Sequence, residues 1–109
     1  MTASEQPPIA CCLGADDYQR RIAWIERLTR TALQRHSRDD LVLRLVYSRD
    51  AAGELRRMVE QERECCAFMT FELAESADAV RVTITAPEAV RGSVDMLFGQ
   101  FLPPRGAGR

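Results

Sequence analysis

Glu62-Arg63-Glu64-Cys65-Cys66-Ala67-Phe68-Met69-Thr70-Phe71-Glu72-Leu73 is where the chain changes its apolar period. Upstream, Leu55, Val59, Glu62 and Cys66 recur at spacings of four, three and four, and Met58, Glu62, Cys65 and Met69 form a neighbouring stripe at the same spacings. Residues so spaced share one face of an α-helix. Downstream, Met69-Thr70-Phe71-Glu72-Leu73 alternates apolar and polar, the period of a half-buried strand. The helix is therefore expected to end near Ala67. That puts the thiols of Cys65 and Cys66 at its C-terminal end, with Glu62 one turn before both.

Toward the C-terminus, Ser76-Ala77-Asp78-Ala79 reads as a turn and Val80-Arg81-Val82-Thr83-Ile84-Thr85 as a second alternating strand, so the two runs form an antiparallel hairpin. Ala86-Pro87-Glu88 opens a last helix, with Pro near its first turn. Its face carries Val90, Val94, Leu97 and Phe101. Toward the N-terminus, Ser48-Arg49-Asp50 caps the cysteine-bearing helix and Leu41–Tyr47 is a strand. Before that strand, Tyr18, Ile22, Ile25, Leu28 and Ala32 mark an amphipathic helix with Asp16 or Asp17 as N-cap. This helix is expected to fade near Gln34-Arg35-His36-Ser37, before a polar turn at Arg38-Asp39-Asp40. Ile9-Ala10-Cys11-Cys12-Leu13 reads as a short buried strand.

These pieces predict one α+β domain over residues 9–102, in the order β-α-β-α-β-β-α. A single mixed or mostly antiparallel sheet carries the helices as a second layer. Residues 1–8 form a flexible leader and 103–109 a disordered tail. No internal repeat is visible, and the two Cys-Cys pairs sit in different local contexts.

Composition narrows the function classes. The 109 residues are 46% hydrophobic, enough for a core without covalent staples. A formal net charge of -1 argues against nucleic acid or an anionic membrane as partner. All 15 basic residues are Arg. Lysine chemistry such as Schiff-base formation is therefore excluded, and with abundant Ala and Val the usage suggests a GC-rich bacterial genome. No secretory pattern opens the chain, and no apolar run approaches the roughly 20 residues of a membrane span. The expected location is the cytoplasm, where thiols stay reduced and four cysteines speak for metal or redox chemistry rather than a disulfide frame.

Adjacent residues on a regular helix diverge by about 100°, so Cys65 and Cys66 can converge on one ion only where the helix ends. A third thiolate is available from Cys11 or Cys12 if the first strand runs beside that end. Three thiolates suit soft ions: Cu(I), Zn(II), Hg(II), Cd(II) or As(III). Zinc would want a fourth ligand, for which the other N-terminal cysteine, Glu62, His36 and water are candidates. No C-x-x-C knuckle is present. The rival reading is a thiol-redox or thiol-transfer enzyme, with Cys65 and Cys66, or Cys11 and Cys66, as attacking and resolving thiols. Against it, a helix C-terminus beside Glu62 and Glu64 opposes thiolate formation, and only Arg63 favours it. A third reading is a non-catalytic domain whose cysteines pack as small hydrophobes, dimerising through an open sheet edge. Glu62 reads either as a carboxylate paired with an Arg at the core seam or as support for the thiols. His36 reads as a solvated residue after a helix end, and Arg20-Arg21 and Arg56-Arg57 as solvated faces. Met58, Met69 and Met96 read as core.

The early Ile9-Ala10-Cys11, the Trp24-bearing helix, Glu62-Arg63-Glu64-Cys65-Cys66-Ala67-Phe68, and Val82-Thr83-Ile84-Thr85-Ala86-Pro87-Glu88 together resemble a family of small uncharacterised bacterial proteins. Its mark is one early cysteine followed by an E-R-x-C-C-x-F stretch. The resemblance covers most of residues 9–101. It implies an accessory role in heavy-metal handling, chiefly mercury, and a site of Cys11, Cys65 and Cys66. Cys12 departs from the family pattern, where a small hydroxyl-type residue is usual.

Overall fold

A computed structural model of the chain describes residues 15–65 and 67–103, with the backbone alone described at 15–18 and 65. Its elements are helix α1 (Ala15–Thr31), strands β1 (Leu33–Asp39) and β2 (Val42–Ser48), helix α2 (Ala52–Cys65), strands β3 (Thr70–Glu75) and β4 (Ala79–Thr85), and helix α3 (Val94–Gly99). Short 3-10 segments, Arg49–Ala51 and Glu88–Ser93, lead into α2 and α3. The expected strand at Ile9–Leu13, the leader 1–8, and residues 104–109 of the expected tail lie outside the described residues.

The four strands form one sheet in the order β1-β2-β4-β3, every neighbouring pair antiparallel. Alternation decides which face is covered. Leu43, Leu45 and Tyr47 of β2, Val80, Val82 and Ile84 of β4, and Phe71 of β3 all point inward and are buried. They meet Ile25 and Leu28 of α1, Leu55, Met58 and Val59 of α2, and Leu97 and Phe98 of α3. The fold is α+β in two layers, helices on one face of the sheet. The expected succession α-β-α-β-β-α from residue 16 onward is present in that order.

One strand joins that succession where the sequence predicts a helix end and a polar turn. Residues 33–39 form β1, and His36 and Arg35 lie on it. Every β1 residue after Leu33 is exposed, whereas the other edge strand, β3, buries Phe71. With no face to bury, it carries no apolar alternation. Its partner β2 and the two-residue turn Asp40-Leu41 make it a strand. Asp40 adopts φ 57, a left-handed conformation that Asp tolerates and a tight hairpin uses.

Helix α3 closes the core. The expected stripe of Val90, Val94, Leu97 and Phe101 is buried throughout, and Phe101 meets Phe71 edge-on at 6.3 Å. Met96 is an exception to the expected core methionines. It lies off that stripe and is 56% exposed, whereas Met58 and Met69 are buried. Arg91 holds the β1–β2 turn to this end of the molecule through both Asp40 oxygens, at 2.7 and 3.1 Å. Arg38 pairs with Asp95 and lies over the Phe98 ring.

The sheet also reveals a repeat that the sequence hides. Ala15 and Ala52, Leu33 and Thr70, and Val42 and Ala79 open equivalent elements, each pair 37 residues apart. The β2–β4 ladder is centred on Leu45 opposite Val82. A two-fold axis there, normal to the sheet, relates α1-β1-β2 to α2-β3-β4. The halves share just three identical residues at equivalent positions: Ala15 and Ala52, Arg20 and Arg57, and Arg44 and Arg81.

Candidate functional site

The two long helices run antiparallel. Near the far end of α1, Arg27 donates to the Glu54 carboxylate at 2.9 Å, joined by the Trp24 indole N–H at 3.4 Å. These bonds hold the Glu54 carboxyl below the ordinary carboxylate range, chiefly through Arg27. Toward the near end of α1, Arg21 reaches Glu62. The start of α1 therefore lies beside the last turn of α2.

The contact there is a buried ion pair. The Arg21 guanidinium donates through Nε and Nη2 to the two Glu62 oxygens, the second bond at 2.6 Å. Arg21 is 4% exposed and Glu62 is 0%. The arginine-paired alternative for Glu62 is the one the structure contains. The solvated reading of Arg21 is corrected, and its cause is positional. Arg21, Ile25, Leu28 and Ala32 recur at four, three and four, so Arg21 lies on the α1 core stripe. A charge of opposite sign on the core stripe of each helix was the signal that sequence reasoning missed.

Arg63, next to Glu62, turns the other way. Its Nε and Nη2 donate to the Phe71 carbonyl at 3.0 and 2.7 Å. This ties the end of α2 to β3 across the chain reversal between them. The helix ends at Cys65, the last residue of α2 and three residues after Glu62. Its counterpart α1 continues three residues longer, to Thr31. By the 37-residue offset, Cys65 and Cys66 correspond to Leu28 and Thr29, both buried inside α1. The cysteine pair thus falls where the second half departs from the helix length of the first.

Cys11, Cys12 and Cys66 lie outside the described residues, and at Cys65 only the backbone is described. Among the described residues, no three His, Cys, Asp or Glu side chains gather as a metal-binding group. His36 is not brought to the end of α2. It is exposed on β1, at the opposite edge of the sheet from β3, three strand spacings or roughly 14 Å away.

The end of α2 carries less unmatched acidity than its sequence implies. The Glu62 charge is matched by Arg21, and the N-terminal end of α1, the positive end of its dipole, lies beside the C-terminal end of α2. No helix among the described residues is long and apolar enough to cross a membrane. No family model matches the chain, and neither does any curated protein or solved structure.

Proposed function

We propose that this protein binds a soft, thiophilic metal ion through Cys11, Cys65 and Cys66, as a scavenger, chaperone or sensor of ions such as Hg(II), Cu(I) or Zn(II). The observation that supports this is the antiparallel pairing of α1 and α2 fixed by Arg21 and Glu62. Cys65 ends α2, and Cys11 and Cys12 precede the first residue of α1 by four and three positions. Three or four residues of chain span at most about 14 Å, so the N-terminal thiols stay within reach of the end of α2. A three-thiolate set matches the preference of these soft ions. In this reading Glu62 contributes by anchoring Arg21 and thereby holding the two helix ends together.

The test is metal titration of the reduced protein under anaerobic conditions, in competition with a small dithiol. Thiolate-to-metal charge-transfer absorption reports the ligands. Wild type should outcompete the dithiol for Hg(II) or Cu(I) at one ion per chain. Cys11→Ser, Cys65→Ser and Cys66→Ser should each lose most of that advantage while keeping the wild-type circular dichroism. Affinity no better than that of the free dithiol overturns the reading.

A second reading, a thiol-redox or thiol-transfer enzyme, gains from one observation. With Glu62 neutralised by Arg21, the acidic objection to a thiolate at Cys65 or Cys66 weakens. A Cys65–Cys66 or Cys11–Cys66 disulfide that cycles at physiological potentials, without metal affinity, would favour it.

A further inference from the structure

Among the described residues, no helix covers the second face of the sheet, and its charges form no ion pair. Read across the strands β1-β2-β4-β3, two of its rows are Ser37, Arg44, Thr83, Glu72 and Arg35, Val46, Arg81, Ala74. Asp39 lies at the end of the row that holds Val42 and Thr85. Val42, Val46, Thr83 and Thr85 are half-buried and the charged residues are exposed. Arg27, Arg38, Arg49, Arg56 and Arg91 all find carboxylates elsewhere on the surface. Among the described residues, Arg35, Arg44, Arg81, Asp39 and Glu72 form no ion pair.

The sheet edges are poor docking strands. Arg63 occupies the Phe71 carbonyl of β3. The β1 edge carries Arg35, His36 and Arg38 and an irregularity between Leu33 and Arg35. Charges and bulges of this kind protect edges from pairing. The bare face has charges of both signs around a Val and Thr centre, which fits neither a purely acidic nor a purely basic partner.

We infer that the bare sheet face is a self-complementary docking surface for a second copy of this chain. In a copy turned about a two-fold axis parallel to the strands, each row lies reversed over itself. Glu72 of the second copy then falls over Ser37, one strand spacing from Arg44, and the same pairing recurs at the other end, as an isologous interface requires. Arg81 meets Val46 and Arg35 meets Ala74, so no arginine sits directly over another. Four strands about 4.8 Å apart and seven residues at about 3.4 Å each give a face of roughly 450 Å². The roughly 900 Å² covered in total is at the small end of specific interfaces, so the dimer is reversible and dependent on concentration.

Sedimentation of the full-length, reduced, metal-free protein tests this between about 10 μM and about 1 mM. The mass should rise from 12.3 kDa toward twice that value, and less so in high salt, which screens the Arg44–Glu72 contacts. Arg44→Glu and Glu72→Arg should each weaken association at least about tenfold, a change of about 1.4 kcal/mol. Combining both exchanges should restore it, with circular dichroism confirming the fold of all three variants. A monomer at every concentration overturns the inference. So does a dimer indifferent to both single exchanges, failure of the combined exchange to rescue, or a monomer that instead takes up an acidic peptide or an oligonucleotide on this face.

Discussion

Arg21 of α1 and Glu62 of α2 hold each other inside the core, with both carboxylate oxygens bonded to one guanidinium. The pair fixes how the two helices align and brings the start of one beside the end of the other. Removing one partner leaves a buried charge uncompensated, which costs about 3–5 kcal/mol. Arg21→Met and Glu62→Leu should each lower the urea midpoint accordingly. The double variant, with an apolar contact of similar volume, should recover most of that loss. A single variant within about 1 kcal/mol of wild type would show that the pair does not anchor the helices.

Acid should first loosen the β1–β2 turn. Hydrogen bonds from Arg91 hold the Asp40 and Glu88 carboxyls below their ordinary values of 3.8 and 4.5. A carboxyl depressed in the folded state stabilises it above the unfolded value, and that contribution disappears as pH falls through the folded one. Melting temperature should therefore decline below about pH 4, and Arg91→Met should flatten the decline. Equal acid sensitivity in that variant would place the effect elsewhere.

At the alkaline side the relevant group is Tyr47. Fully buried under the helices, its phenol is pushed well above the ordinary value of 10.0 by desolvation. Folding is thus favoured fully below that value, and the contribution is lost as pH rises beyond it, because the unfolded chain ionises first. Absorbance at the phenolate band should show Tyr47 ionising only together with unfolding, and Tyr47→Phe should remove that coupled step. A phenolate at Tyr47 in the folded protein would contradict its burial.

Phe101 closes the core from the end of α3, edge-on to Phe71. Phe101→Ala should cost about 3–5 kcal/mol, and a double-mutant cycle with Phe71→Leu should return a coupling of about 0.5–1.5 kcal/mol. Additive losses would mean that the two rings do not act on each other.

Periodicity carried most of the architecture because most elements bury a face. The stripe of Leu55, Val59 and Glu62 and the alternations of 80–85 and 41–47 each follow from packing against one core. Edge strand β1 was invisible for the same reason: from Gln34 to Asp39 nothing is buried, so nothing in the spacing marks a strand. Arg21 was misread because a charge suggests solvent, although its spacing from Ile25 and Leu28 assigns it to the core. The repeat escaped notice because the dyad preserves which positions face inward without preserving their residues, as Leu45 and Val82 illustrate. At the candidate site, the sequence ends the helix near Ala67, two residues beyond its observed end at Cys65, and offers Glu62 an arginine. Which arginine depends on the antiparallel packing of helices 41 positions apart at the contact, a relation that no local pattern encodes.

Folding speed is also governed by the dyad. The turns at Asp40-Leu41 and between Glu75 and Ala79 close over a few residues, so each hairpin assembles from local contacts. Leu45 meets Val82 only after a loop of 37 residues has closed, and non-local pairing of this kind slows the search. The rate-limiting event is expected to be the joining of one half to the other along β2 and β4. Truncating Leu45 or Val82 should therefore retard folding, and so should weakening either hairpin turn, because the hairpins are in place before the halves join; stopped-flow refolding rates check both.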